Sequence, residues 1–337
     1  MPPEEVLKKD DPTLDLALRP TRWDDYIGQE KIKNNLHILI EAAKKRKEPI
    51  EHVLLYGPAG LGKTTLANLI SRETGASLKM TSGPAIEKVG DLAAILTNME
   101  VGDVLFIDEV HRIHKTVEEM LYPAMENSTL DIILGKGPSA RTLQLQLPRF
   151  TIIAATTRAG LLSSPFRSRF GATYRLEFYT RDEIKRIIAR SAALLNAKID
   201  DEALGIIADA SRFTPRVANR ILKRVRDYAQ VHNVDTISGE TAKKSLGILE
   251  IDPIGLEATD IRILETIITK FSGGPVGIKT IAASTSEEVE TIEDVYEPYL
   301  LQIGFLSRSL KGRIATKLAY DHLGIPYAGT QNQGTLL

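Results

Sequence analysis

The stretch Gly57-Pro58-Ala59-Gly60-Leu61-Gly62-Lys63-Thr64 constrains this chain more than any other, because it spells a phosphate-binding loop without a gap. A phosphate chain needs many donors converging on it, and glycine lets backbone N–H groups close in where a side chain would stand in the way. Val53-Leu54-Leu55-Tyr56 before the loop reads as a buried strand, and Thr65 to Ile70 after it as the start of a helix. Strand, loop and helix come in the order such a cradle requires. The helix N-terminus adds unpaired N–H groups, Lys63 is placed to bridge the β- and γ-phosphates, and Thr64 to ligate Mg²⁺.

A loop of this kind is half a site, and Val104-Leu105-Phe106-Ile107-Asp108-Glu109 supplies the other half. Four apolar residues ending in two carboxylates fit a buried parallel strand whose C-terminal tip carries the chemistry. Asp108 is expected to hold Mg²⁺ through water, and Glu109 to orient and polarise the attacking water. Phe150 to Thr157 is another such run, with Thr157 at its tip, placed to contact either the γ-phosphate or the attacking water. His111 and His114 lack further ligands at metal spacing and read as helix-surface residues. Arg167 and Arg169, on a short turn-bounded segment, are either surface arginines or an arginine finger that neutralises the transferring phosphoryl group.

Other stretches leave alternatives open. Trp23 and Tyr26, shortly ahead of the loop, either pack over a purine ring or staple a polar opening arm, through Asp15, to the domain. The alternating runs from Ser128 to Leu147, around Gly135-Lys136-Gly137-Pro138-Ser139, make a β-hairpin that is either a docking surface or packed on its own domain. From Thr180 the pattern turns helical without strands, with Thr180, Asp201, Thr214 and Ser238 as N-caps and a basic run from Arg212 to Arg226 that reads mostly as solvated helix face. After the linker Ile251-Asp252-Pro253-Ile254-Gly255 come three helical patterns and two short strand-like pieces around Ser309-Leu310-Lys311-Gly312, a winged helix. Its third helix is acidic, whereas the wing carries Arg308, Lys311, Arg313 and Lys317 with no acid among them, so the wing is the better candidate for phosphate contacts.

The fold class is therefore α/β: a P-loop NTPase domain with a parallel sheet (1–180, hairpin 128–147), a small all-α domain (181–252) and a winged-helix head (253–337). A chain of 337 residues with 43 % hydrophobic content can fill such cores. No apolar run approaches a membrane span, no signal peptide is apparent, and with no cysteine, disulfides and thiolate metal sites are excluded, so a cytoplasmic protein is expected. A net charge of −1 confines any nucleic-acid contact to local basic patches.

Taken together, Asp25-Tyr26-Ile27-Gly28-Gln29, Gly60 to Ala67, Ile107 to Arg112, Leu134 to Arg141, Ala155 to Leu161, Val295 to Leu300 and Gly312 to Thr316 resemble the RuvB family, bacterial Holliday-junction branch-migration motors of the AAA+ class. The resemblance covers nearly the whole chain. It implies an ATP hydrolase acting as a hexameric ring on duplex DNA at four-way junctions, with ATP and Mg²⁺, RuvA docked on the 128–147 hairpin and RuvC as the resolving partner. It further implies that Leu18, Arg19, Tyr26, Ile27 and Tyr179 line the adenine pocket, and that Gly60, Leu61, Gly62, Lys63, Thr64, Thr65, Pro215 and Arg216 hold the phosphates. Thr157 matches the first sensor, Arg216 the second, Arg169 the finger acting on a neighbour's ATP, and Arg308 and Arg313 the DNA contacts. Ala59, Phe213 and Ser309-Leu310 depart from the family's usual proline, glycine and Thr-Pro. Two rivals differ in function: a clamp-loader or initiator ATPase, which leaves the Gly135 hairpin without a role, and a non-hydrolysing scaffold, which leaves Glu109, Thr157 and Arg169 without one.

Overall fold

The three predicted apolar runs, Val53–Tyr56, Val104–Asp108 and Thr151–Thr156, form the centre of one five-stranded parallel sheet, flanked by two strands that sequence reading did not single out. The computed structural model of the chain describes residues 12–134 and 141–327, so the first eleven residues, residues 135–140 with the Gly135–Ser139 turn, and the last ten lie outside the described residues. Its strands are β1 (Val53–Tyr56), β2 (Leu78–Ser82), β3 (Val104–Asp108), β4 (Thr129–Leu134), β5 (Arg141–Gln146), β6 (Thr151–Thr156) and β7 (Ala172–Arg175). The sheet order is β2-β3-β6-β1-β7, every pair parallel, with Tyr56 opposite Thr156 and Ile107 opposite Ala154. Residues of β6 are buried throughout, which is why this strand reads as apolar on both faces. The three central strands end at the same edge, so the phosphate loop, Asp108-Glu109 and Thr157 arrive there together.

Helix Lys63–Thr74 carries the chain away from the loop, burying Leu66, Ala67, Leu69 and Ile70. The β4–β5 hairpin pairs Thr129 with Gln146 through Leu134 with Arg141. Leu130 and Leu147 are buried in the sheet's core cluster, and Ile132 and Leu145 pack against it, while Leu143 is exposed. Its base is thus held by its own domain. Residues 12–15, read as part of an arm, belong to helix Pro12–Leu18.

By contacts the chain divides into two units, Met1–Leu194 with Thr214–Arg216, and Leu195–Phe213 with Val217–Leu337. In the second, two-residue strands β8 (Lys198–Ile199) and β9 (Thr236–Ile237) pair in parallel, which corrects the strand-free reading. They are too short to show a period in the sequence. Asp200, one residue earlier than expected, caps helix Asp201–Asp209 by accepting from the Ala203 N–H at 2.7 Å. The basic run is also not simply a solvated face: Lys223 is buried, and Arg212 is buried in an ion pair with Asp260. Arg212 and Phe213 both adopt left-handed backbone, and the Phe213 ring packs 6.2 Å from that of Tyr299, apolar contact that offsets a conformation glycine would take more easily.

The winged-helix core gathers Leu256, Ile263, Leu264, Ile267, Ile281, Leu300, Phe305 and Ala315. Two helices carry π-helical turns, at Thr266–Lys270 and Ile292–Tyr296, and the wing is β10 (Leu306–Ser309) against β11 (Gly312–Ala315). Val276 pairs with Arg313 and extends the ladder by one rung.

Candidate functional site: the phosphate loop and the wing

The loop is closed upon itself by its own lysine. Lys63 Nζ donates to the carbonyls of Gly57 at 2.7 Å and Pro58 at 2.9 Å, and Gly57 N–H joins the loop to β6 through the Thr156 carbonyl. Burial lowers the Lys63 pKa, against which Glu109 and Asp108 pull upward. Two carbonyl partners at these distances hold the ammonium within the loop. Arg216 reaches the same loop, its N–H 3.4 Å from the Gly60 carbonyl, with its side chain exposed.

At the tip of β3, Glu109 sits in left-handed backbone (φ 45°). Gly83 packs so close that a Cβ there would overlap the Glu109 carbonyl, so this corner admits glycine alone. Glu109 Oε2 accepts from the Thr157 N–H at 3.4 Å and the Thr157 hydroxyl at 3.3 Å, and lies 3.2 Å from His111 Nδ1. His111 Nδ1 is also 2.8 Å from the Thr156 hydroxyl, which accepts from the Arg158 N–H. His111 was expected on a helix surface; instead it is inserted between the tips of β3 and β6. Nothing in its spacing signals this, because the contact is made across the sheet. Asp108 Oδ1 accepts from the Glu109 N–H at 3.0 Å.

Behind the loop, Tyr26 and Tyr179 are buried and share one acceptor, the Leu61 carbonyl, at 3.5 and 3.1 Å. Their hydroxyls are 3.3 Å apart; burial raises Tyr26 well above the ordinary value and pushes Tyr179 up to about 12, so both stay protonated donors. A side chain at Gly62 would come within 2.9 Å of the Tyr26 hydroxyl. Leu18 is buried and its carbonyl accepts from Arg190 Nη1 at 2.9 Å, while Arg19 and Ile27 are half-buried. Thr64 and Thr65 open the helix half-buried.

Arg169 keeps different company. Its guanidinium stands 4.2 Å over the Tyr122 ring, pairs with Glu126 at 2.9 Å and donates to the Pro165 carbonyl. Tyr122 and Glu126 come from helix Lys115–Asn127 and Pro165 from the short helix Ser164–Arg167, none from the loop, so the structure does not bring Arg169 to its own chain's phosphate site.

In the wing, Arg308 and Arg313 lie directly opposite each other on β10 and β11, and Lys311 is exposed in the turn between. The turn is closed by Ser309, whose hydroxyl accepts from the Lys311 N–H and donates to the Gly312 carbonyl, leaving Leu310 fully exposed. Sequence reading found no acid among the wing's basic residues, yet Glu297 and Glu293 of the preceding helical segment pair with them.

Three family profiles cover the chain in order: the Holliday junction DNA helicase RuvB P-loop domain over residues 18–176, the RuvB AAA lid domain over 179–252, and the RuvB C-terminal winged helix domain over 253–324. The chain belongs to the RuvB family.

A RuvB relative, the Holliday junction branch migration complex subunit RuvB of Dehalococcoides mccartyi (strain CBDB1), is 57 % identical over 326 residues, 97 % of this chain and 93 % of the relative. Thermotoga maritima RuvB, described as a Holliday junction branch migration motor, shares 50 % identity with a TM-score of 0.85, covering 92 % of this chain and 99 % of that one. A lysine-to-arginine variant of the same RuvB gives a TM-score of 0.86 at 50 % identity over 91 % of this chain and 98 % of that one. The RuvB assignment accounts for a nucleotide-binding loop and a winged helix in one chain. Among the described residues, no helix is long and apolar enough to cross a membrane.

Proposed function

We propose that the chain works as the ATP-driven motor of Holliday-junction branch migration, in three functional parts: an ATPase domain to residue 180, a lid over 181–252 and a DNA-binding head from 253. The observation that carries the reading is the convergence, at one sheet edge, of Lys63 on its loop, Asp108-Glu109 on β3 and Thr157 after β6. In this reading Gly60 to Thr65 cradle the phosphates, Lys63 trades its two loop carbonyls for phosphate oxygens, and Arg216 adds charge from the lid side. Leu18, Arg19, Tyr26, Ile27 and Tyr179 form the adenine pocket, and Pro215 starts the helix that presents Arg216.

Glu109 orients the attacking water. Its contacts with Thr157 and His111 are long enough to be exchanged for a water, and Thr157 then reports whether a phosphate is present. The Thr64 hydroxyl would hold Mg²⁺ directly and the Asp108 carboxylate would hold it through water, hard oxygen donors of the sparse kind this ion takes beside phosphates; the ion would supply charge neutralisation of the triphosphate. Arg169, held by Glu126 and Tyr122 and away from its own loop, serves the ATP of a neighbouring subunit, which requires a ring; a hexamer is the form the family implies. RuvA docks on the 128–147 hairpin, RuvC joins the resolving complex, and Arg308, Lys311 and Arg313 face duplex DNA. The working place is the cytoplasm.

A synthetic four-way junction incubated with the chain, ATP and Mg²⁺, with and without RuvA, tests the reading. Junction dissociation is expected for the wild type and lost for Lys63→Ala. Equal behaviour of the two proteins, with no dissociation under any condition, would remove the motor.

A further inference from the structure

Two arginines set directly across a hairpin from each other repel, and on an exposed wing they would splay apart. Here they do not. Glu297, whose side chain is completely covered, places its carboxylate between them. Oε1 accepts from Arg308 Nε and Arg313 Nε, each at 2.8 Å, and Oε2 accepts from Arg308 Nη2 at 2.7 Å and Arg313 Nη2 at 3.1 Å. All four acceptor positions of one carboxylate are thus filled by two forked donors. Glu293 adds a further contact to Arg313 Nη2 at 3.3 Å.

The arginines differ in what remains. The Arg313 side chain is 16 % exposed and faces two carboxylates, whereas that of Arg308 is 56 % exposed with its Nη1 edge uncommitted to Glu297. Burial by itself pushes the Glu297 carboxyl up, but the hydrogen bonds and charges of Arg308 and Arg313 outweigh it and hold it below the usual carboxylate range. The acid therefore stays ionised.

We propose that Glu297 is a positioning residue for DNA binding, a buried carboxylate that locks Arg308 and Arg313 together so that Arg308 meets the phosphate backbone preorganised. The inference rests on the reading of the wing as the DNA contact, and it gives Arg313 a share in aiming its neighbour in addition to contributing charge. Its sign is opposite to that of simple electrostatics. Counting charge alone, removing an acid beside two DNA-facing bases strengthens binding. If Glu297 positions them, removal weakens binding, because two unclamped guanidinium groups must be ordered again on the phosphate.

The test measures affinity of the full chain, with a slowly hydrolysed ATP analogue and Mg²⁺, for a fluorescent DNA duplex over a salt series. Glu297→Gln replaces one acceptor oxygen by an N–H₂ that faces arginine donors. It is expected to weaken binding roughly tenfold and to lower the salt slope by about one contact. Glu297→Asp, which keeps the charge on a shorter stem, should fall between Gln and wild type. Binding by Glu297→Gln as tight as wild type or tighter, with an undiminished slope, overturns the proposal. Should that variant fail to fold, as judged by its melting curve, Arg308→Lys replaces it: charge is kept and the fork is lost, so weaker binding is expected and wild-type binding overturns the idea. Arg308→Ala separates the two levels. If it leaves affinity and slope intact, the wing is not the DNA contact; if it weakens binding while Glu297→Gln does not, only the positioning role is lost.

Discussion

Glu109 at the sheet edge and Glu297 under the wing are both carboxylates surrounded by donors, and the fold treats them in opposite ways. Glu109 is 34 % exposed in its side chain, in left-handed backbone, with contacts of 3.2 to 3.4 Å to Thr157 and His111. Glu297 is fully covered and takes four bonds of 2.7 to 3.1 Å. Glu109, which in the proposed cycle changes partners, is left underfilled; Glu297, proposed to hold two arginines still, is saturated. Asp260, in the same unit as Glu297 and equally covered, marks the middle: it pairs with Arg212 and accepts from the Glu257 N–H at 2.8 Å, but its Oδ1 has no partner. Burial pushes its pKa up to about 6 despite the arginine. Saturation, more than burial, decides which acid stays charged.

The largest effect should fall on the underfilled acid. Glu109→Gln is expected to cut ATP turnover at saturating ATP by about a hundredfold or more, the usual size for a lost general base; turnover within a few-fold of wild type in a phosphate-release assay would break the contrast. Next, Glu297→Ala leaves a nearly buried arginine without its main partner. A loss of about 2 kcal/mol is expected, smaller than for a wholly buried pair because Arg308 is solvated. Urea unfolding of the full chain measures it, and an unchanged midpoint would show the clamp to be ornamental for stability.

The third prediction uses pH. Between about pH 4 and about 6 the unfolded chain releases the Asp260 proton while the folded chain keeps it, so the slope of stability with pH is negative there. Asp260→Asn lacks this term, so its deficit relative to wild type should shrink as pH rises through that window. Glu297 has the opposite sign: its contribution is present above the unfolded value of about 4.3 and fades as pH falls through its lowered folded value. Melting curves of both variants across pH read this out, and a constant Asp260→Asn deficit would remove the distinction. The smallest effect concerns the two tyrosines on the Leu61 carbonyl. Tyr179→Phe, with the shorter bond, should cost about 1 kcal/mol and Tyr26→Phe less; the reverse order would show that the pocket is held by something other than these bonds.

Residues whose role follows from their own neighbours in sequence were legible. The phosphate loop declares itself by its glycines and the strand and helix on either side, and β3 and β6 by unbroken apolar runs ending in polar tips. The wing is recognisable because a turn separates two short strands. What stayed hidden depends on contacts between distant segments. His111 looks like a surface residue until β6 is placed beside β3. The acidic third helix of the head appeared only as repulsive to DNA, since nothing in its local pattern shows that Glu293 and Glu297 turn toward the wing. β8 and β9 have two residues each, below any periodicity.

The arrangement of Arg308, Arg313 and Glu297 also makes the three side chains interdependent. Any one of the three, altered alone, leaves the other two worse than before: two bases in conflict, or an acid enclosed without its full complement. The three positions are therefore coupled, and effects of substitutions at them should not add.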